Sequence, residues 1–319
     1  MNWTNRSTLT ALTLLFVLAV GSVTLAAEPT TFRSSSYWNT PVNASGPAPV
    51  HAKSALWIAD SQKTANTQNY LQLTTGSFAQ PFYKSTCDDK VYRINPTLYG
   101  DTYSVHIPAS ARAMDSSDAA IAIFDNCSGQ VVGMWRAAFN GTTWTSGSLD
   151  HYALNSEGLD KKVATSDSIT NDSHRGIPAS IRGIQFDEAV AGAIDHRMEC
   201  FWHATAPSTP EAGDGSAYWP MTGAEQGKGG IVPEGVVIRI KASVNLAKYP
   251  LSPAAQAVAK SLQTYGCTVG DNSGSGNRLK MQGNANWSGR LTADSLKSLP
   301  WSLWEFVKGG YDPRSGTVR

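Results

Sequence analysis

Residues 194–204 read IDHRMECFWHA, and the alternation in this run sets how the rest of the chain is understood. Successive side chains of a strand point to opposite faces. Ile194, His196, Met198, Cys200 and Trp202 therefore share one face, and Asp195, Arg197, Glu199, Phe201 and His203 share the other. The first set is an apolar face suited to a core. The second either meets bulk water and pairs its charges across the sheet, or lines a polar cleft. A short helix over Asp187–Ala193 leads into the strand, and three of the six histidines fall within residues 171–205, NDSHRGIPASIRGIQFDEAVAGAIDHRMECFWHAT.

Outward from this strand the texture stays β-rich. Short β-prone runs at Tyr103–Pro108, Ala119–Phe124, Val131–Phe139 and Thr142–Trp144 are separated by Gly, Asn, Asp and Pro. The turn from Asp125 to Gly129 reads as a hairpin connection. Val236–Val244 alternates as a strand with one buried face, and Cys267–Asp271 and Arg278–Met281 follow as strands around a Gly/Ser turn. Helices are few. The spacing predicts one over Ser54–Asn66 and a last short one capped by Thr292 that stops at Pro300. The best defined begins with Ser252 as N-cap and Pro253 as first residue, with Gly266 just past its end. Residues 146–175 and 207–230 are rich in Ser, Asp, Gly and Pro and read as two long loops. The expected class is mainly β, α+β only at its margins: an antiparallel β-sandwich or jelly-roll with a few peripheral helices.

Composition bounds the compartment and the partners. A net charge of +1 and the lack of any Lys/Arg cluster argue against nucleic acid and against a polybasic membrane-binding surface. Arg6, the apolar run Leu9–Leu25 and the small residues Ala26 and Ala27 describe a secretory signal peptide over residues 1–27. A membrane anchor is the competing reading, weakened by Thr10, Thr13 and Thr24 in the run. The expected mature chain is a secreted, extracellular or periplasmic monomer: one β-rich domain over residues 28–319, with an irregular lead-in at 28–50 whose Tyr37 and Trp38 could dock on the body. Four widely spaced cysteines in an exported chain read as two disulfides with three connectivities, of which Cys87–Cys127 with Cys200–Cys267 is preferred.

Several groups are candidates for chemistry. Asp150, Glu188 and Glu199 are the carboxylates for glycoside hydrolysis, with His196 orienting or carrying a proton. His196 sits on the apolar face, where a hydrogen-bonded core histidine is the plainer interpretation. Asp150, His151 and Tyr152 are adjacent in the first long loop, where neighbouring side chains can converge. His151 or His196 with Tyr152, and Arg239 or Arg197 to neutralise a uronate, would instead serve β-elimination. Trp219, Tyr218 and Phe201 offer stacking surfaces, and Arg197, Arg239 and His203 polar contacts, for a bound sugar. No H-E-x-x-H spacing, EF-hand loop or G-x-S-x-G elbow occurs, so neither metal nor cofactor is expected.

The stretches SYWNTPV (36–42), GIPASIRGIQFDEAVAGAIDH (176–196), PEGVVIRIKASVNL (233–246) and LQTYGCTVGDNSG (262–274) resemble those of a group of exported, mostly bacterial proteins. Members of that group have Gly-Leu-Pro where this chain has Gly176-Ile177-Pro178, and His-Ala-Leu where it has His196-Arg197-Met198. The resemblance implies export and a shared fold and transfers no catalytic residue. Glu188, His196, Arg239 and Asp271 fall at matching motif positions; Asp271, in an expected turn, is read as structural. Exported β proteins with many tryptophans and long polar loops are commonly carbohydrate-active, a fold-level analogy. The expected function is a secreted enzyme cleaving a polysaccharide, a glycoside hydrolase in preference to a uronate lyase. The rival is a noncatalytic carbohydrate-binding or cell-surface protein.

Overall fold

Among the described residues, ten strands make the two larger sheets, and shorter pairs of strands flank them. The structure, a computed structural model, describes Met1 and residues 31–63, 68–74, 76–163, 175–209, 216–225 and 229–319. Apart from Met1, the expected signal segment lies outside the described residues, as does His174.

In chain order the strands are β1 (Gln72–Thr74), β2 (Phe82–Ser85), β3 (Ile121–Asp125), β4 (Gln130–Trp135), β5 (Ser148–Ala153), β6 (Met198–Trp202), β7 (Val237–Ile240), β8 (Cys267–Asn272), β9 (Arg278–Lys280) and β10 (Trp304–Phe306). The six-stranded sheet runs β1-β9-β6-β8-β7-β10 and the four-stranded sheet β2-β3-β4-β5. The class is mainly β with few helices, as expected. The pairing inside it is mixed rather than wholly antiparallel: β1 with β9, β6 with β8 and β2 with β3 are parallel.

Periodicity explains which faces are buried. Met198, Cys200 and Trp202 of β6 enter the main core with Ile238, Ile240, Val269 and Leu279. Of the α-helices α1 (Ser54–Lys63), α2 (Phe186–Ala191) and α3 (Pro253–Thr264), the last lays Ala255, Val258 and Leu262 into that core. Its start is as expected: the Ser252 hydroxyl accepts from the Ala255 amide, and Pro253 fills the first turn. In the four-stranded sheet Ala122 and Phe124 face one cluster with Tyr37, Trp38 and Ile177, while Ile121 and Ile123 face another with Ile94 and Val105. The lead-in therefore docks on the body through its two aromatics, both buried.

Four local expectations need correction. Ser148–Ala153 is not loop but β5, paired along its length with β4. Its Asp and His mask the strand pattern, and burial of both its faces overrides their weak β-propensity. Strand β7 is buried on both faces; Arg239, expected on an open face, is held by Glu305 at 2.9 Å and by the Asn43 side chain at 2.7 Å. Residues 292–298 form successive turns with amide-to-carbonyl bonds three residues apart, not a helix. The helix before β6 spans Phe186–Ala191 (α2), ending at Gly192 in the left-handed conformation.

Both preferred disulfides are present, Cys87–Cys127 and Cys200–Cys267. The second joins neighbouring strands β6 and β8 inside the core across 67 residues. Its removal by the double Cys200→Ala, Cys267→Ala substitution is expected to cost about 2–5 kcal/mol. A urea midpoint equal to that of the parent would contradict this. Among the described residues no helix is long and apolar enough to cross a membrane.

Candidate functional site

The face of β6 opposite the main core does not meet bulk water. Glu199 and Phe201 point into a cavity of about 620 Å³ lined by strands of both sheets: Thr74 of β1, Trp135 of β4, Asp150 of β5, Asp271 of β8, and Arg278 and Lys280 of β9. Phe78, Tyr99 and Asp118 from connecting segments complete much of the wall. Of the two alternatives for this face, the cleft is the one formed.

Two carboxyl groups are brought together here. Asp150 and Glu199 are only 5 % and 4 % exposed, and they come from different sheets. Arg182 bridges them, with one terminal nitrogen 3.2 Å from Asp150 Oδ2 and its Nε 3.9 Å from Glu199 Oε2. The GIPASIR motif explains why the guanidinium lies there. Pro178 starts a single 3₁₀ turn, Ala179–Ile181, whose residues are buried, and Arg182 closes it while donating to the Ile177 carbonyl at 2.7 Å.

Each carboxylate lies over a glycine. Gly133 is the cross-strand partner of Asp150, and a Cβ there would stand 2.8 Å from both carboxylate oxygens. Gly270 is the extra residue of a bulge in β8: Cys200 pairs with Val269 and Phe201 with Asp271. A Cβ on Gly270 would collide with Glu199 Oε1 and lie 2.7 Å from its Cγ. Side chains at these two positions would push the acids out of place.

The electrostatics set Glu199 apart. Burial raises its pKa to about 7, against the opposing pull of Arg182. Its Oε2 makes no hydrogen bond. It is a carboxyl group that carries a proton up to neutral pH, facing an open volume, which is the condition for a general acid. Arg182 itself is disfavoured as a cation by burial, yet Asp150 and Glu199 more than restore it.

A second ion cluster lies along the wall. Arg175 reaches Asp271 at 3.1 Å and Glu234 at 3.2 Å. Burial works to raise the Asp271 pKa, but Arg175 and then Lys280 bring it below the usual carboxylate value. Glu234 is fully buried and is pushed up to about 7 by burial, with Arg175 opposing. Glu225, Glu234 and Asp271 have oxygens within 4.8 Å of one another, the only spacing among the described residues that suits a cation. The Arg175 guanidinium already neutralises two of the three, so no metal chemistry is derived from them.

The other candidates lie elsewhere. Glu188 borders a separate recess of about 250 Å³ with Lys84 and Gln185. It pairs there with His196 Nε2 at 3.0 Å, while His196 Nδ1 meets the Arg197 carbonyl at 2.9 Å. Burial lowers the His196 pKa, but Glu188 outweighs it and the net shift is upward. His196 is a hydrogen-bonded interior residue, as the plainer interpretation held. Arg197 is buried under the Tyr37 ring at 4.0 Å and donates to the Tyr265 carbonyl. His151 points to the opposite side of β5 from Asp150 and stacks on Tyr103 at 4.2 Å. Tyr152 shares the Asp150 face but is buried in the cluster around Phe32 and Leu159. The expected convergence of Asp150, His151 and Tyr152 fails because a strand, unlike a loop, alternates its side chains.

Arg239 is tied to Glu305 and His203 to the Asn277 side chain at 3.0 Å, and neither lines the cavity. The proposed aromatic platform fails too. Tyr218 is buried with its hydroxyl 3.3 Å from His51, and Trp219 packs edge-on against Tyr37 outside the cavity. The aromatics that do line it are Phe201, Trp135, Tyr99 and Phe78. Arg182, Arg175 and Asp271 were not expected as cavity residues. All three lie in or beside the motifs quoted above, which was the one signal for them.

Comparison with protein-family models, with curated proteins and with solved structures gives no match.

Proposed function

We propose that this chain is a secreted carbohydrate-active enzyme, a glycoside hydrolase that works on a polysaccharide with Glu199 as general acid. One observation carries the reading: two buried carboxyl groups, Asp150 and Glu199, face one cavity across a shared guanidinium, and burial holds Glu199 protonated up to about pH 7. Glycoside cleavage uses two carboxyl groups whose environments push them apart, one to give a proton and one to remain an anion. In this assignment Glu199 protonates the departing glycosidic oxygen. Asp150, ion-paired to Arg182, supports positive charge developing on the ring or activates water. Trp135, Tyr99 and Phe201 supply flat apolar surface for sugar rings, and two disulfides, one of them in the core, suit an oxidising compartment.

Convergent titratable groups favour an enzyme over a noncatalytic binding protein. The groups suggested for elimination, His151, His196 and Tyr152, do not line the cavity, which favours hydrolysis over elimination. The test is a panel of neutral and uronic polysaccharides assayed for new reducing ends and for the ultraviolet absorbance of unsaturated sugars. The expected result is reducing ends without absorbance. Both signals together would make the protein a lyase, and neither would remove the enzymatic reading.

A further inference from the structure

The four cations lining the cavity fall into two kinds. Arg175 and Arg182 are each held by two carboxylates of the protein. Among the described residues Arg278 and Lys280 have no such partner. They stand two residues apart on β9 and so project to the same face. Arg278 donates one terminal nitrogen to the Ser275 carbonyl at 2.8 Å, and its Nε is buried without a hydrogen bond. The Lys280 ammonium lies 4.0 Å over the Phe201 ring and makes neither hydrogen bond nor ion pair among the described residues. Phe201 is also the cross-strand partner of Arg278, so the ring and both cations share one face of the sheet.

A half-buried arginine whose Nε–H is covered and unpartnered gains when an acceptor reaches its guanidinium. A lysine resting on an aromatic face beside it is held less firmly than one in an ion pair. The two side chains line the same cavity as Glu199, within reach of a molecule bound there.

We propose that Arg278 and Lys280 form a carboxylate-binding subsite, and that the substrate is a glycan bearing uronate residues. The inference rests on the reading of this cavity as a glycan site. A planar carboxylate matches the arginine fork, with the ammonium as a second point of attachment. Asp118, Asp271 and Glu199 act electrostatically on Lys280 from nearby, so the region tolerates one added negative charge better than a dianion such as a phosphate. Burial is the larger influence on Lys280 and lowers its pKa, and a bound carboxylate would reverse that.

Calorimetric titration tests the subsite without requiring turnover. The probes are galacturonate, mannuronate and guluronate oligosaccharides of one length, each as free acid and as methyl ester. At least one acid is expected to bind roughly tenfold or more tightly than its ester. Arg278→Gln and Lys280→Met are each expected to remove most of that difference. To keep the test independent of how either variant folds, the parent protein is also titrated at low salt and at roughly 0.5 M salt, where the acid's advantage should shrink. Equal binding of every acid and its ester, no binding of any probe, or variants that fold and keep the full preference would overturn the proposal. Cleavage of neutral glycans with no preference for acids would remove the subsite and leave the hydrolase. Salt-sensitive binding of an acid that is never cleaved would do the reverse.

Discussion

Glu199→Gln is expected to slow glycan cleavage by at least ~10²-fold, the usual share of a general acid, while making the protein more stable at pH 8. Both effects come from the same burial. The ordinary glutamate value of 4.5 becomes about 7 in the folded chain. Below 4.5 the group is protonated folded or unfolded and imposes no ionic cost. Between 4.5 and 7 the unfolded chain ionises first, so stability falls as pH rises. Above 7 the full penalty applies, about 3 kcal/mol for a shift of this size. Glutamine keeps the shape and never ionises. Urea denaturation of parent and variant should therefore coincide near pH 4 and diverge by about that amount at pH 8. In the parent, activity should decline as pH passes about 7, because the acid form is lost. A variant as active as the parent would end the assignment. A stability gap equal at pH 4 and pH 8 would show that Glu199 is not held protonated by burial.

Arg182→Met is expected to do the opposite to stability. The guanidinium is the shared counter-charge of Asp150 and Glu199, and its removal leaves carboxylates in a poorly hydrated wall. Breaking such a pair from one side costs about 3–5 kcal/mol. Because Arg182 opposes the burial effect on Glu199, its loss should move the Glu199 pKa further up from about 7. The alkaline limb of any residual activity should then shift to higher pH, a change that loss of packing alone would not produce. An unmoved limb in a folded Arg182→Met protein would separate Arg182 from the acid.

The β class, helix α3 with its Ser252 cap, the number of disulfides and the two faces of β6 were legible because each rests on local pattern or count. Strand β5 was not. Asp150 and His151 made it read as loop, and only pairing with β4 and burial on both sides fix it as a strand. The same misreading put Asp150, His151 and Tyr152 at one point in space. Glu199 could be placed on a face of unknown cover. What covers it is the four-stranded sheet, whose strands lie between Phe82 and Ala153, well before it in the chain. Glu188 and His196 formed a real pair, but in a different recess. The sequence places charges on faces; which faces oppose one another is decided by tertiary packing.

One residue of β8 has a consequence beyond the space it leaves. Counting along that strand, Cys267 and Val269 enter the core, and strict alternation would send residue 271 after them. Gly270 is inserted out of step, and from that point the strand is re-phased so that Asp271 aligns with Phe201 and faces the cavity. The bulge thus brings two consecutive residues, Gly270 and Asp271, to the cavity wall, and the one that lies over Glu199 carries no side chain. A chain of the same fold lacking that glycine would be expected to keep Asp271 opposite Phe201 and to lose the Gly270 carbonyl that accepts from Arg175 at 3.4 Å, one of the contacts that fix the ion cluster.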